Sequence, residues 1–398
     1  MAAGKNTHLE HIEDEIINKG TAGGEQAIKI LEEMGKFLSG DSGQGTVSVT
    51  TKWDGAPAVV CGTDPADGQF FVGTKSVFNK NDPKICKTEQ DIRKLYSGAL
   101  AEKLSSSLRY LKDAGIQGVL QGDLMFTNDK NVETINGERF TIFRPNTITY
   151  AAKVGTELER QISSAALGIV FHTKYTGDTI ATMTSSFNVL DSDFKSGGQV
   201  WAQKAEFKNL GNAATLTPGE KSTYDSAVNQ ARGSLKQTKG ILDFIQSGKK
   251  TLQVDTEFKK FFNSYVKNGS PVPSVNAAYK DFTVHLEKEY KKAMDKVKTS
   301  AAKERKFLEL VEHLENYKDK EREFKMLIAT YLNITKAKHI LVEKMKKISE
   351  LNLFVETANG DYKVTTPEGF VAVSGRTAIK LIDRLEFSRL NFTVPKNW

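Results

Sequence analysis

The chain has 398 residues and an ordinary globular composition, with 39% apolar and 26% charged residues. This composition excludes a collagen-like or low-complexity protein, and no apolar stretch is long enough to cross a bilayer. The net charge of +7 permits a polyanionic partner without requiring one. The N-terminus lacks the apolar core of a signal peptide, so we expect an intracellular protein with no membrane partner.

Residues 1–200 are predicted to form the first part of an α+β domain. Two helices are expected within residues 9–40, closed by Gly20 and Gly40, because apolar residues recur there at helical spacing. A further helix is predicted over residues 88–115, and a short one at LERQISSA. Six strand-like stretches with turn signals between them favour an antiparallel sheet. They are TVSVTTKW, APAVVCGT, GQFFVGTKSVF, GVLQGDLMF, FTIFRPNTITYA and LGIVFHTKYTG.

Residues 201–350 differ in character, because long helical patterns rich in lysine and glutamate dominate them. Strands return only in residues 351–398, at DYKVTTPEGFVAVSG and AIKLIDR. We interpret this order as a helical insertion in a β-rich domain that the last strands complete. Cys61 and Cys86 are interpreted as apolar fillers, since the His and Cys residues lack the clustered spacing of a zinc site.

The sequence TKWDGAP places Lys52 at the end of the first strand, immediately before an Asp54-Gly55 turn. A lysine becomes a nucleophile only when its amine is neutral, which requires a pKa lowered by burial or by a neighbouring cation. A strand end is a rigid platform for such a group. The alternative is a surface hairpin with a solvated lysine, since Asp-Gly is a strong turn dipeptide.

TKWDGAP resembles motif I of the covalent nucleotidyltransferases, which include polynucleotide ligases and mRNA capping enzymes. Five further stretches resemble later motifs of that superfamily in the same order: FVGTKSVFNK, LQGDLMF, GIVFHTKY, PEGFVAV and AIKLIDR. Only AVSGRTA separates EGFV from IKLIDR, and this pairing is much rarer by chance than any single motif. The resemblance covers residues 46–175 and 365–385. It implies an antiparallel-sheet nucleotidyltransferase domain of the ATP-grasp-like ligase type, interrupted by a large helical insertion.

The resemblance also implies a reaction, in which Lys52 attacks the α-phosphate of ATP and forms a lysyl-AMP intermediate. The implied nucleotide-binding residues are Thr51, Asp54, Gly55, Lys75, Asp123, Phe171 and Lys380. Glu368, together with Asp123, would hold Mg²⁺, which prefers carboxylate oxygens. The metal and the nearby lysines are expected to lower the pKa of Lys52.

Two of these roles leave alternatives open. Phe171 would stack on the base, but a core phenylalanine is an equal alternative. Asp54 would orient the lysine or the metal, but it could equally cap its own turn. In addition, residues 56–58 read Ala-Pro-Ala where ligases commonly have an arginine, and Ala378 stands where motif V usually has its first lysine; Arg376 or Lys75 is the suggested substitute.

Only RLEFSRLNFTVPKNW follows the last motif, which is too short for the OB-fold domain of DNA ligases and capping enzymes. The sequence therefore favours an ATP-dependent RNA-ligase-type polynucleotide ligase, which joins a 5′-phosphate end to a 3′-hydroxyl in RNA or DNA. The alternatives are a nucleotidyltransferase with a non-nucleic-acid acceptor and a non-catalytic basic nucleic-acid-binding or assembly protein.

Two lysine-rich helical runs, KEYKKAMDKVKTSAAKERK and KAKHILVEKMKK, could lie along a phosphate backbone or form a coiled-coil-like assembly hairpin. Together with the absence of a targeting signal, the predicted activity fits the cytoplasm of a bacterial or phage-infected cell.

Overall fold

The computed structural model describes residues 9–39, 47–207, 215–247, 254–348, 351–356, 360–374 and 377–385. These residues form an α+β fold in which most strands pair antiparallel, as the sequence predicts. The strands are β1 Val47–Lys52, β2 Ala58–Thr63, β3 Phe70–Gly73, β4 Val119–Phe126, β5 Lys130–Ile135, β6 Glu138–Phe143, β7 Thr149–Lys153, β8 Leu167–Thr176, β9 Thr184–Ser186, β10 Val200–Lys204, β11 Asn352–Glu356, β12 Tyr362–Val364, β13 Gly369–Ser374 and β14 Thr377–Leu381.

The described strands form three sheets. A three-stranded sheet has the order β1-β13-β14, so the first strand pairs with β13, and both of its companions come from the other end of the chain. A six-stranded sheet has the order β10-β8-β4-β2-β3, with β9 added to β8, and its β8–β10 pair is parallel. A five-stranded sheet has the order β12-β11-β7-β6-β5.

The chain that follows β10 joins the six-stranded sheet to the three-stranded one. It runs beside β1, where the backbone N–H of Thr51 donates to the carbonyl of Ala205 at 2.7 Å. The N–H of Phe207 donates to the carbonyl of Val49 at 2.8 Å. These bonds hold the end of β1 beside the six-stranded sheet, so residues of both sheets meet there.

Ten α-helices lie within the described residues. They are α1 Glu15–Phe37, α2 Glu89–Leu95, α3 Gly98–Leu111, α4 Glu157–Ser164, α5 Pro218–Leu235, α6 Lys239–Ser247, α7 Val254–Lys267, α8 Val275–Asp295, α9 Ser300–Asp319 and α10 Glu321–Met345. Within this part of the chain, no helix combines the length and the apolar character that crossing a membrane requires.

The helical segment shares its core with both ends of the chain. Apolar side chains of α1 and of the helices from α5 to α10 form one buried cluster with the three-stranded sheet, to which Val49, Phe370 and Ile379 belong. A second cluster lies between the six-stranded sheet and helices α2 and α3. The segment that the sequence presents as an insertion therefore packs against the sheet that carries Lys52.

Several predicted elements have different boundaries in the structure. Gly20 does interrupt the first helical region, with a φ of 62°, whereas Gly40 lies outside the described residues. The helix predicted over 88–115 is divided into α2 and α3, because Tyr96 and Ser97 adopt extended backbone conformations. FTIFRPNTITYA forms two paired strands, β6 and β7, because its RPNT turn reverses the chain.

Four of the described strands were not predicted at all: β5, β9, β10 and β11. Of these, β10 spans the domain boundary predicted at residue 200. Both cysteines are free and buried, as predicted, and burial raises the pKa of the Cys86 thiol to about 11.

Candidate active site

Lys52 is the last residue of β1 and lies directly opposite Gly369 of β13. Its ammonium donates to a carboxylate oxygen of Glu368, a residue 316 positions away in the sequence. The Lys52 side chain is 28% exposed and that of Glu368 is 12% exposed, so the pair faces a partly open surface. Pairing of β1 with β13 thus brings motif I and motif IV of the predicted set together.

Lys380 lies on the same face of this sheet as Lys52. Lys380 pairs with Val371, and Val371 pairs with Thr50. Thr50 lies two residues before Lys52, so the side chains of Thr50 and Lys52 are on the same face of β1. Burial, and then the charge of Lys52, lower the pKa of Lys380 below its ordinary value. Lys75 adds a smaller effect in the same direction, so it too lies near this group.

The position of Lys75 differs from the one that the sequence predicts. The strand expected over GQFFVGTKSVF ends at Gly73, and Lys75–Phe78 forms a short 3-10 turn. The hydroxyl of Thr74 caps this turn by accepting from the backbone N–H of Ser76 at 3.3 Å. Lys75 is exposed there and can reach a ligand from the solvent side.

The pKa of Lys52 is raised, whereas the sequence predicts that it is lowered. Burial alone would lower it, but the charge and the hydrogen bond of Glu368 outweigh that effect, and Asp123 and Asp54 add to it. Burial also raises the pKa of Glu368, although the Lys52 ammonium opposes this. The contact with Glu368 therefore holds Lys52 as an ammonium ion, which is not a nucleophile.

We expect Glu368→Gln to lower the pKa of Lys52, because the change removes the carboxylate that opposes the effect of burial. The measurement is the pH dependence of trace acetylation of Lys52 in metal-free buffer, followed by mass spectrometry of its peptide. Glu102→Gln is the matched control, since this exposed carboxylate pairs with Arg93 away from the site. An unchanged Lys52 titration in Glu368→Gln would contradict the pairing.

Asp54 is buried, and its carboxylate stabilises the turn that precedes β7. Its carboxylate accepts hydrogen bonds from the Asn146 side chain at 2.7 Å and from the backbone N–H groups of Thr147 and Ile148 at 2.7 and 2.8 Å. Its own N–H donates to the Tyr150 hydroxyl at 2.8 Å. Of the two roles left open for Asp54, this geometry favours the structural one, although the turn that it fixes is not its own.

Asp54→Ala is expected to lower the free energy of unfolding by about 3 kcal/mol, because it leaves the buried N–H of Ile148 and the partly buried N–H of Thr147 without an acceptor. Urea unfolding followed by circular dichroism measures this loss. Asp129→Ala is the control and should cost less than about 1 kcal/mol, since Asp129 is exposed and accepts one backbone bond, from Thr127. Equal losses in the two variants would show that Asp54 does not hold the turn.

Gly55 allows the motif I loop to approach β4. A Cβ at this position would lie 2.5 Å from the Cβ of Asp123 and 3.0 Å from the sulfur of Met125, so no larger residue fits without a shift. Asp123 stands on the strand beside this loop and contributes to the field at both Lys52 and Glu368. The predicted metal ligands are thus brought to the same site.

Phe171 does not line this site, which corrects its predicted role in base stacking. It is fully buried in the core beneath α2 and α3, where its ring lies 5.1 Å from that of Phe194. The physical reason is the pleat of β8, which turns Phe171 away from the face that carries Asp123 and Val170. The alternative that the sequence left open, a core phenylalanine, is correct.

His172, the next residue, is on the site and was missed from the sequence. Between the pairs Gln121–Thr173 and Gly122–Phe171 it has no partner on β4, so it is the extra residue of a β-bulge. Bulges re-aim side chains, and this one brings the His172 Nε2 to 3.8 Å from a carboxylate oxygen of Asp123. The ring is 25% exposed and offers the flat face that Phe171 does not.

Thr51 is not brought to the face that carries Lys52 either. Its neighbours at alternate positions, Val47 and Val49, are buried in the helical core, so Thr51 points toward that core. Its backbone N–H is already bonded to Ala205. Strand alternation therefore contradicts a nucleotide contact by the Thr51 side chain.

A lysine that the sequence did not single out contacts the motif I loop. The ammonium of Lys103, on α3, donates to the carbonyl of Ala56 at 3.2 Å. This is the stretch where ligases commonly have an arginine. Lys103 supplies a positive charge there, and the suggested substitute Arg376 lies outside the described residues.

Glu368 and Asp123 supply the carboxylate oxygens that suit Mg²⁺, which typically needs only one or two such groups besides water and phosphate. A second group, His339, Glu343 and Asp383, has three ligand atoms within 4.8 Å of one another. There the Lys346 ammonium lies 2.7 Å from Glu343 and 3.6 Å from Asp383, so it offsets part of their charge, as Lys52 does for Glu368.

Comparison with known proteins gives a family but no activity. A family of unknown function, DUF6267, matches residues 6–396 of the chain. No curated protein and no solved structure matches it. The chemistry must therefore be argued from the residues around Lys52.

Proposed function

This chain belongs to DUF6267, a family of unknown function, and we propose from the geometry of its lysine site that it is an ATP-dependent polynucleotide ligase of the RNA-ligase type. In this proposal Lys52 is the nucleophile that forms lysyl-AMP. On this proposal the sheets that meet at Lys52 would be those of an antiparallel nucleotidyltransferase domain. The helical segment takes the place of the accessory domains that such ligases carry.

The observation that carries the proposal is the convergence of charged residues from distant parts of the chain. Lys52 and Glu368 are in contact, Asp123 and Lys380 interact electrostatically with members of this pair, and Lys75 interacts with Lys380. All five were selected from motif order alone, and unrelated surface residues would have no reason to meet at one strand end. A solvated hairpin lysine would have no buried carboxylate partner.

The arrangement suits attack on an α-phosphate. The Lys52 amine would form a bond to the α-phosphorus while the bond from that phosphorus to the bridging oxygen breaks, so that pyrophosphate leaves. The Lys52 ammonium must first lose a proton, and Glu368 is the base already hydrogen-bonded to it. Lys75 and Lys380 would offset the charge of the phosphate oxygens, and His172 offers a ring for the base.

Mg²⁺, when bound, would neutralise phosphate charge and favour departure of pyrophosphate. Glu368 and Asp123 are the residues that could hold it. If Glu368 held the metal ion, its carboxylate would no longer raise the pKa of Lys52. Burial and the neighbouring Lys380 would then favour the neutral amine.

The second and third steps define the acceptor. The AMP would pass from Lys52 to a 5′-phosphate end, which forms a 5′–5′ pyrophosphate linkage and restores the free lysine. A 3′-hydroxyl would then attack the 5′-phosphorus, so that a phosphodiester forms and AMP leaves. Both steps reuse the phosphate-binding lysines and the same metal site.

Incubation of the purified protein with α-labelled ATP and Mg²⁺ tests the proposal. We expect covalent label that survives denaturation, together with a peptide containing Lys52 that carries the added mass of AMP. Sealing is then assayed on nicked duplexes and on single-stranded RNA and DNA. Label without sealing would indicate a different acceptor, and labelling by GTP alone a capping-like activity. Absence of any label would overturn the proposal in favour of a non-catalytic protein.

A further inference from the structure

The connection between α8 and α9 carries the densest positive charge of the helical segment. Residues 291–306 contain seven basic and two acidic residues. Six of the basic side chains are exposed and the seventh, Lys306, is half-buried. Near this end the two helices are joined by a 2.7 Å hydrogen bond between Tyr290 and His313. The charge therefore stands on an anchored helical hairpin.

Ion pairing distinguishes this segment from the other lysine-rich run of the sequence. Among residues 291–306, only Lys292 forms an ion pair with a described residue, Glu289. In residues 336–347 the lysines are used internally: Lys338 pairs with Glu13, and Lys344 with Glu220. Lys346 pairs with both Glu343 and Asp383. The first run is thus free to meet an external anion, whereas much of the second stabilises the fold.

Apolar side chains are exposed beside these charges. Phe307 is 52% exposed and Leu308 is 59% exposed. Phe307 lies one helical turn after Lys303, so the two side chains are neighbours on the surface of α9. Proteins that bind single-stranded nucleic acids combine exposed aromatic rings with unpaired basic side chains. The bases stack on the rings, and the phosphates interact with the positive charges.

We propose that this basic tip, defined as Lys291, Lys296, Lys298, Lys303, Arg305 and Lys306, binds the phosphate backbone of a single-stranded nucleic acid, with Phe307 as a stacking platform. The inference deepens the proposed function, on which it rests, by assigning the surface that holds the acceptor strand. The charges are distributed over two helices and their connection. A membrane-surface helix would instead concentrate them along one face opposite an apolar face.

The test compares two triple variants of the full chain. One is Lys296→Gln, Lys298→Gln and Lys303→Gln in the basic tip. The matched control is Lys112→Gln, Lys236→Gln and Lys363→Gln, which removes the same charge from exposed lysines that directly follow α3 and α5 and lie on β12. The probe is a fluorescein-labelled single strand of about 20 nucleotides, as RNA and as DNA, measured by anisotropy between about 50 and 200 mM salt.

We expect the tip variant to bind the probe about tenfold more weakly at low salt, with the slope of log Kd against log salt reduced by about 2. The control should bind like the unmodified protein. Phe307→Ala should weaken single-strand binding about tenfold and leave binding of a duplex of the same length unchanged. Circular dichroism verifies that every variant is folded.

The proposal is overturned if the unmodified protein does not bind the probe, or if the tip variant and the control lose affinity equally. It is also overturned if the tip variant loses binding to phosphatidylserine vesicles but keeps binding to the oligonucleotide. Labelling of Lys52 by ATP is measured on the same samples and separates the two proposals. If the protein is not labelled but binds the probe through the basic tip, only the proposed ligase activity is rejected. If the protein is labelled but its binding does not depend on the basic tip, only the role of the basic tip is rejected.

Discussion

Lys52→Arg is expected to abolish covalent labelling by ATP, with a loss of at least about a thousandfold. Arginine keeps the positive charge and can still pair with Glu368, so the sheet and the ion pair survive. Its guanidinium is not deprotonated in proteins and therefore cannot supply a neutral nitrogen to the α-phosphorus. The measurement is the rate of label incorporation on denaturing gels, with thermal unfolding as the check on the fold.

Lys103→Arg provides the matched control for this result. Lys103 contacts the carbonyl of Ala56 in the same loop, but its contact needs only a donor and a charge. We expect this variant to label within about tenfold of the unmodified protein, because an arginine can replace the lysine as donor. Label that persists in Lys52→Arg would mean that another group carries the nucleotide.

The sequence predicted that Lys52, Glu368 and Lys380 would meet, but it did not predict the protonation state of the lysine. Lys52, Glu368 and Lys380 could be selected because strand ends separated by hundreds of residues carried motifs in a fixed order. The pKa of Lys52 could not be predicted, because its direction depends on whether a carboxylate contacts the ammonium. The contact with Glu368 follows from the register of β1 against β13, which no local pattern encodes.

The prediction placed Phe171 at the site, where the structure has the next residue, His172, and this error also arises from strand register. Side chains of a strand alternate between two faces, so an error of one position moves a residue from the site to the core. A bulge at His172 changes the alternation of β8 locally. The one glycine of GIVFHTKY, Gly168, lies four residues before His172, so neither a glycine nor a proline marks the bulge. The aromatic residue was predicted in the right strand but on the wrong face.

The helical segment shows the limit of pattern analysis for the fold. Its amphipathic helices could be predicted because apolar residues recur at helical spacing. A pattern identifies an apolar face but not the surface that covers it, and the cover includes α1 and the three-stranded sheet. The lysine-rich runs looked equivalent for the same reason. Only the positions of Glu13, Glu220 and Asp383 distinguish the free run from the paired one.

A buried charge cluster connects this helical segment to the strand that carries Lys380. Glu13 accepts from Lys338 of α10 at 2.6 Å, and Arg384, which follows β14, lies 3.2 Å from Asp14. The backbone N–H of Lys380 donates to the carbonyl of Glu10 at 2.9 Å. The N-terminal turn thus fixes both the end of β14 and one face of α10.

The Lys338 and Arg384 charges outweigh the effect of burial and hold the pKa of Glu13 at about 2, below the ordinary 4.5. The stability that Glu13 supplies is therefore complete above pH 4.5 and is lost as the pH falls toward 2. Burial raises the pKa of Asp14, so its contribution has the opposite sign. Glu13→Gln should therefore remove the contribution of Glu13 to the pH dependence of the free energy of unfolding.

At neutral pH we expect Glu13→Gln to lower the free energy of unfolding by about 3–5 kcal/mol, because it leaves the buried Lys338 ammonium without its carboxylate. Lys338→Met should cost about as much, since Glu13 then keeps only the 3.5 Å contact with Arg384. The double variant should lose clearly less than the two single losses together, because neither charge remains unbalanced. Urea unfolding of the four proteins measures this coupling, and strictly additive losses would show that the pair does not act as a unit.

Since the cluster adjoins β14, the single variants should also weaken labelling of Lys52, whereas the double variant should recover part of it.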